Sequence, residues 1–96
     1  MTSPEAIRFH VALHYGLSVS DLCGSRRNKR CARPRHVAMY LARSLTRMSY
    51  PEIGEFFGGR DHTTVMYAVE LVERLWEEDG AFAANVDFLA SQLEAA

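Results

Sequence analysis

Residues 58–65, Gly-Gly-Arg-Asp-His-Thr-Thr-Val, constrain the fold more than any other stretch of the chain. Glycine is favoured just past the end of a helix because it tolerates positive φ. Asp61 stands where the next helix should begin, and a carboxylate at that position can accept hydrogen bonds from backbone N–H groups. The stretch therefore predicts a helix, a tight turn and a second helix. The first turn of that second helix carries His62, Thr63 and Thr64 rather than apolar residues. This is typical of a recognition helix, whose N-terminal residues reach base edges in the major groove.

The side chains at the start of this second helix carry groups that can read a base pair. Asp61 can accept a hydrogen bond from the N4 amine of cytosine, and His62 can donate or accept. Thr63 and Thr64 offer a hydroxyl and a methyl group, and the methyl group matches the C5-methyl of thymine. The alternative interpretation is that Asp61 and Thr64 are plain helix-start residues that make no base contact.

Basic and acidic residues are segregated along the chain, although the net charge is only −1. Segment 22–51 contains no acidic residue, whereas segment 70–96 is rich in acids and has Arg74 as its one basic residue. Because phosphate binding depends on where cations cluster, the basic segment is the predicted nucleic-acid side. Its basic residues are Arg26, Arg27, Lys29, Arg30, Arg33, Arg35, Arg43 and Arg47.

Apolar periodicity and capping residues predict an all-α fold. The expected architecture is a compact bundle of about six helices that contains a helix-turn-helix and forms a single domain over residues 1–96. Ser3 before Pro4, and the capping boxes that begin at Ser18 and Ser49, mark three helix starts. The signals of a sheet, alternating Val/Ile/Thr runs and an Asn-Gly hairpin, do not occur in the sequence.

The longer helices have predicted boundaries. After a loop at residues 25–31, a long helix is predicted from Ala32 to Met48, with Pro34 near its start because proline fits the first helical turn. The recognition helix is predicted from His62 to about Glu78. The residues expected to face the core around the turn are Ile53, Phe56, Phe57, Val65, Ala68, Val69, Val72 and Trp76.

Several classes of function find no support in the sequence. No Ser/His/Asp or Cys/His set has a supporting context, so no enzyme, cofactor or metal is predicted. A zinc site using Cys23, Cys31 and His36 lacks further ligands and C-x-x-C spacing, which predicts two free thiols, buried or half-buried. No run approaches the roughly 20 apolar residues of a membrane helix. Residues 1–5 do not resemble a secretion signal. These features predict a soluble, intracellular protein, and the predicted DNA binding implies a cytoplasmic location with the nucleoid.

The turn also carries a family resemblance. Residues 58–65, preceded by Pro51-Glu52-Ile53-Gly54 and by Phe57, resemble the signature of the C-terminal DNA-binding domain of the bacterial replication initiator DnaA. Further matches in order and spacing are Asp21-Leu22, Ala32-Arg33-Pro34-Arg35, Ala38-Met39-Tyr40-Leu41 and Leu45-Thr46. The resemblance runs from about Ile7 to about Leu75, which is most of the chain.

The resemblance implies a set of DNA-binding residues. In that family, the positions of residues 61–64 read the major groove, and an arginine that aligns with Arg27 enters the minor groove. Physical chemistry agrees, since a narrow A·T-rich minor groove concentrates negative potential and attracts arginine. Arg35 and Arg43 are implied to contact the DNA backbone or bases. The complete predicted set is Arg27, Lys29, Arg35, His36, Arg43, Ser49, Arg60, Asp61, His62, Thr63 and Thr64.

The implied function is sequence-specific binding to double-stranded DNA at DnaA-box-like sites, in replication initiation, its regulation, or transcription control. A monomer on an asymmetric site is expected, with the full-length initiator or its regulators as further partners. The chain lacks a G-x-x-x-x-G-K-[ST] loop, so no ATPase activity is expected. Both an excised initiator domain and a stand-alone relative fit, and the Met1 start and acidic tail favour the second. The alternative function is a protein-interaction module that has lost specific DNA binding. The basic residues between Arg26 and Arg47 argue against that alternative.

Overall fold

The structure, a computed structural model, describes residues 2–24 and 29–95, with Lys29 described by its backbone alone. These residues contain six α-helices. They are α1 (Pro4–Tyr15), α2 (Val19–Cys23), α3 (Lys29–Leu45), α4 (Tyr50–Phe56), α5 (His62–Glu78) and α6 (Gly80–Ala95). The described residues form no strand. The predicted all-α bundle of about six helices is therefore confirmed, with α4 and α5 as its helix-turn-helix.

The helix starts follow the capping residues of the sequence. Ser3 accepts a hydrogen bond from the N–H of Ala6 at the start of α1. At α4, Ser49 Oγ accepts from the N–H of Glu52, and Glu52 Oε1 accepts from the N–H of Ser49. This reciprocal pair lowers the pKa of Glu52, because both the backbone and the side chain of Ser49 hydrogen-bond to its carboxylate. A second capping box begins α2 at Ser18.

Helix α3 differs from its prediction at both ends. It begins at Lys29 rather than Ala32 and ends at Leu45 rather than Met48. Pro34 lies inside the helix rather than in its first turn, so the start predicted from the position of this proline is wrong. The predicted loop 25–31 is correspondingly wrong for residues 29–31, which are helical.

The core is formed where α3 and α5 pack together, with α1, α4 and α6 around them. Each fully buried large aliphatic or aromatic side chain contributes about 1.5–3 kcal/mol relative to exposure. The largest fully buried side chains are Phe57, Ile7, Leu22, Met39, Leu41, Ile53 and Leu93. This packing fixes α5 along its apolar side and leaves its opposite side open to solvent.

Two aromatic residues predicted to face the core lie at its edge instead. Trp76 is 44% exposed, and its indole Nε1 donates to Asp87 Oδ1 at 3.0 Å. The indole N–H needs a polar partner, which the edge of the α5–α6 contact supplies and the core would not. Phe56 is half-buried and packs against the edge of the core, and the Arg8 guanidinium lies 4.4 Å from the centroid of its ring.

Candidate nucleic-acid interface

The turn between α4 and α5 is held by backbone geometry that requires glycine. Gly58 and Gly59 have φ values of 95° and 72°, in the left-handed region that glycine adopts without strain. The N–H of Arg60 donates to the carbonyl of Gly54 at 2.8 Å, closing the turn onto α4. A Cβ on Gly54 would lie 2.0 Å from the carbonyl oxygen of Arg60. The start of α5 is thus fixed against α4 by direct backbone contact.

The first turn of α5 presents its polar side chains to solvent. His62, Thr63 and Thr64 are all exposed, and the next residue, Val65, is fully buried. The buried valine anchors the helix while the residues before it have no packing role in the core. The predicted recognition surface is therefore accessible on a rigid support, the arrangement that direct readout of bases requires.

Asp61 occupies the predicted N-cap position of α5 but makes no side-chain capping hydrogen bond. Its carboxylate instead accepts from the Thr63 hydroxyl at 3.0 Å and lies 2.9 Å from His62 Nδ1. The pKa of Asp61 is lowered, chiefly because the Thr63 hydroxyl donates to the carboxylate. The predicted capping bond is thus wrong, and the side chain is ionised and directed along the exposed turn. Capping alone does not explain why an acid stands here.

Two of the predicted basic contacts point inward. Arg35 on α3 is 9% exposed, and Arg60 in the turn is half-buried. Both guanidinium groups donate to backbone carbonyls at the end of α2. They are therefore engaged with the protein itself. The sequence does not indicate this, because it does not show in which direction an arginine side chain points.

Arg43, near the C-terminal end of α3, and Arg47, in the segment between α3 and α4, are both exposed. The Arg43 guanidinium lies 4.4 Å from the centroid of the Tyr50 ring, and its Nη1 donates to the carbonyl of Met48 at 3.2 Å. These contacts hold the charge beside Ser49 at the start of α4. The Ser49 oxygen accepts the capping bond from the N–H of Glu52, and the residue is half-buried.

His36 faces the recognition helix from α3. Its ring lies edge-on to Tyr67 with 6.1 Å between centroids, and its Nδ1 is buried without a hydrogen-bond partner among the described residues. Burial lowers the pKa of His36, and the nearby charges of Arg33, Arg35 and Arg60 lower it further. The imidazole is therefore neutral at pH 7 and supplies no positive charge to a phosphate.

This shift of the His36 pKa predicts a pH dependence of folding. Because the folded pKa lies below the unfolded value of about 6.5, the unfolded chain takes up the proton first as the pH falls. The contribution of His36 to stability is complete above about pH 6.5 and decreases as the pH falls through that value. Denaturant unfolding of wild type and His36→Gln at about pH 7 and about pH 5.5 should show a smaller loss in the variant. The same loss in both proteins would contradict the assignment, and His14→Gln, at an exposed site on α1, is the control.

The remaining predicted contacts, Arg27 and Lys29, are placed only in part. Arg27 lies outside the described residues, so its minor-groove contact stays a prediction. Lys29 is the first residue of α3.

The predicted DNA-binding set does not include two exposed residues of α5 that lie next to its first turn. Tyr67 is 56% exposed and Met66 is 39% exposed, and they follow the first turn on the solvent side of the helix. The spacing from Thr63 to Tyr67, one helical turn, is the signal that could have identified them.

Metal-binding and membrane-spanning features are absent from the described part of the chain. Within residues 2–24 and 29–95, no group of three or more His, Cys, Asp or Glu side chains could hold a metal ion. Cys23 and Cys31 are free thiols, half-buried and buried respectively. Among these same residues, no helix is both long and apolar enough to cross a bilayer.

Comparison with known proteins gives consistent matches over nearly the whole chain. Residues 4–72 match the family model described as the bacterial dnaA protein helix-turn-helix. The chromosomal replication initiator protein DnaA of Gluconobacter oxydans (strain 621H) is 49% identical over 90 residues, 94% of this chain and 19% of that protein. The protein of the same name from Rhodopseudomonas palustris (strain BisA53) is 52% identical, with coverage of 94% and 19%.

A solved structure shares the fold. The crystal structure of a DNA replication initiation factor matches with a TM-score of 0.79 and 35% identity, covering 94% of this chain and 28% of that one. The chain spans about a fifth of the length of the two relatives.

Proposed function

We propose that this chain, which belongs to the family of bacterial DnaA helix-turn-helix domains, binds double-stranded DNA sequence-specifically at DnaA-box-like sites. The observation that carries the proposal is the exposed first turn of α5. Its carboxylate, imidazole and hydroxyl groups face solvent, and they stand on a helix fixed by Val65 and by the close contact of Gly54 with the turn. The process is replication initiation or its regulation, with transcription control at such sites as a further use of the same binding.

Three parts of the chain are assigned to different features of the DNA. The first turn of α5 enters the major groove, where Asp61, His62, Thr63 and Thr64 meet base edges. Arg43 on α3 and Arg47 just after α3, both exposed, meet phosphates. Arg27 supplies the minor-groove contact. One recognition helix and one minor-groove arginine define a single direction on the duplex, so we expect a monomer on an asymmetric site.

The acidic residues of α5 do not oppose this docking at its first turn. Glu70, Glu73, Glu77 and Glu78 are exposed and lie beyond the first two turns of the helix. Like charges near phosphates weaken binding, so the N-terminal end of α5 is the end that enters the groove. We assign the chain no enzymatic step and no cofactor, and we expect it in the cytoplasm with the nucleoid. The full-length initiator or its regulators are the proposed protein partners.

One surface favours the alternative of a protein-interaction module. Phe9 and Leu13 on α1 are 57% and 67% exposed, and Phe88 on α6 is 53% exposed. The ring of His14 lies 6.3 Å from that of Phe88, which joins the two helices into one partly apolar face. If the protein bound only through this face, DNA sequence would not matter to it.

A titration with labelled duplexes separates the two functions. One duplex carries a DnaA box and the other carries the same bases in scrambled order, at physiological salt. The proposal predicts binding to the box that is at least about 1000-fold tighter than binding to the scrambled sequence. Equal affinity for the two duplexes would overturn it and leave the interaction module as the better account.

A pair of substitutions should separate base reading from phosphate binding. Thr64→Ala removes a base contact from an uncharged side chain, so it should cost about 1 kcal/mol on the specific duplex and little on the scrambled one. Arg43→Ala removes one phosphate contact, so it should weaken both duplexes similarly.

The salt dependence of the Kd distinguishes these effects. Arg43→Ala should flatten the slope of log affinity against log salt by about 1, whereas Thr64→Ala should leave it unchanged. If Thr64→Ala weakened both duplexes equally, Thr64 would be a helix-start residue only, as the alternative interpretation holds.

A further inference from the structure

The C-terminal end of α2 is capped by side chains from other parts of the chain. Helix α2 ends at Cys23, and Gly24 continues in an extended conformation with φ −68° and ψ 160°. The last carbonyls of a helix have no partner within the helix and need donors from elsewhere. Here the carbonyls of Leu22, Cys23 and Gly24 all accept hydrogen bonds from arginine side chains.

The first donor is Arg35, which reaches α2 from α3. Its Nε donates to the Leu22 carbonyl at 2.8 Å and its Nη2 donates to the Gly24 carbonyl at 3.4 Å. Only 9% of the residue is exposed, so the guanidinium has left water for these contacts. A charged donor makes stronger hydrogen bonds than a neutral one, and a cation is favoured beside helix C-terminal carbonyls.

The second donor is Arg60, which reaches the same carbonyls from the turn between α4 and α5. Its Nη2 donates to the Gly24 carbonyl at 2.6 Å, and its Nη1 donates to the carbonyls of Cys23, at 3.3 Å, and of Phe57. The Gly24 carbonyl therefore accepts from both arginines. Burial lowers the pKa of Arg60, and the nearby positive charge of Arg35 lowers it further.

The backbone of the turn is built against the same point. A Cβ on Gly58 would lie 2.2 Å from the Cys23 carbonyl oxygen and 2.5 Å from Nη1 of Arg60. Gly58 thus admits both the φ of 95° and the close approach of the turn to α2. The end of α2, the middle of α3 and the start of α5 meet at this junction, which we call the arginine clamp: Arg35 and Arg60 with the carbonyls of residues 22–24.

We propose that Arg35 and Arg60 are positioning residues for DNA reading. They fix the position of Gly24, where the chain leaves α2, relative to the recognition helix. Gly24 is the last described residue before segment 25–28, which contains Arg27. Because the clamp ties Gly24 to the residue directly before Asp61, it fixes where the segment that contains Arg27 begins relative to the major-groove helix. The inference rests on the proposed function, and it assigns these arginines no direct contact with DNA.

The decisive substitution is Arg60→Lys. Lysine retains the positive charge and can still meet a phosphate, but one ammonium cannot reproduce the fork that donates to separate carbonyls. If Arg60 acted on phosphates, the variant would bind nearly as well as wild type. If Arg60 acts through the clamp, the variant should lose the contribution of the minor-groove contact, about tenfold in affinity.

Modified bases provide an affinity comparison that would not change if Arg60 only stabilised the fold. Replacing adenine by 2,6-diaminopurine in the A·T-rich part of the box adds an amino group to the minor groove and leaves the major-groove pattern of the pair unchanged. A separate duplex carries a base-pair change where the first turn of α5 reads the major groove. Affinities of wild type and Arg60→Lys are measured for the unmodified box and for both altered duplexes.

The proposal predicts that wild type loses affinity on both altered duplexes. Arg60→Lys should keep the major-groove penalty and lose most of the diaminopurine penalty. Adding Arg27→Ala to Arg60→Lys should then cost little more, because the two changes remove the same contact. Retention of both penalties by Arg60→Lys would overturn the proposal, as would insensitivity of wild type to diaminopurine.

These outcomes are distinct from failure of the proposed function, in which wild type would not distinguish the box from a scrambled duplex at all. Circular dichroism at the binding temperature establishes that each variant is folded. If Arg60→Lys is unfolded there, Arg35→Lys, which retains one donor to the same carbonyls, takes its place with the same expected and contradicting results. Arg74→Lys, on the exposed side of α5, is the matched control and should leave both penalties as in wild type.

Discussion

Gly54→Ala should destabilise the protein by about 2–3 kcal/mol, the range typical of overpacking a close contact. The added Cβ would lie 2.0 Å from the carbonyl oxygen of Arg60 and 3.0 Å from its carbonyl carbon. Both are backbone atoms, so no side-chain rotation can relieve the contact, and the hydrogen bond from the Arg60 N–H to the Gly54 carbonyl would be strained with it. Denaturant unfolding monitored by circular dichroism measures the change.

Gly80→Ala is the matched control for this substitution. Gly80 is the first residue of α6, and nothing lies within 4 Å of the Cβ position. Alanine there should be neutral or should stabilise by up to about 1 kcal/mol, since it reduces the entropy of the unfolded chain. Equal stability of Gly54→Ala and wild type would mean that α4 and the turn do not approach as closely as described.

Arg27→Ala should weaken binding to a DnaA-box duplex by about 1–3 kcal/mol, which reaches roughly 100-fold in Kd. The cost has two parts, a lost minor-groove contact and a lost charge. The contact part should disappear on a duplex whose minor groove carries the diaminopurine amino group, and the charge part should remain. Fluorescence anisotropy with both duplexes separates them.

The control for Arg27→Ala is Arg74→Ala. It removes the same charge from an exposed site on α5 among acidic residues, so its effect on Kd should be small. An unchanged Kd for Arg27→Ala would mean that Arg27 makes no contact with DNA, and the arginine clamp would then have no role in DNA reading.

Local signals explain why much of the fold was predictable. The predicted limits of α5, His62 and Glu78, are those observed, and the predicted starts at Ser3, Ser18 and Ser49 are confirmed. Capping boxes and glycine turns depend on residues within four positions of one another, so a single sequence contains all the information they need. The turn at Gly58 and Gly59 is of the same kind.

Side-chain direction was the part that the sequence could not supply. Arg60 hydrogen-bonds to carbonyls of residues 36 and 37 positions earlier in the chain. Arg35 and Arg43 lie on one helix, yet one is buried and the other exposed. Such differences arise from which element packs over each residue, and periodicity along one helix does not record it. Trp76 was misplaced for the same reason, because its polar partner belongs to α6.

The early start of α3 has a different cause. Proline is favoured in the first turn of a helix, which led to a predicted start near Ala32. Pro34 instead lies further inside a helix that begins at Lys29. Cys31, in the part of the helix before the predicted start, is 2% exposed, so the helical structure here buries its side chain while Arg30 stays exposed. Tertiary packing outweighs the local preference here.

We propose the first turn of α5 as the DNA-reading surface of this protein. Its most direct test is an NMR titration of the 96-residue protein with a DnaA-box duplex, in which backbone amide shifts are followed residue by residue. We expect the largest shift changes from residue 59 to residue 67 and smaller ones around Arg43 and Ser49. A scrambled duplex should affect mainly the basic residues. Changes confined to the face formed by Phe9, Leu13 and Phe88, or no difference between the duplexes, would contradict it.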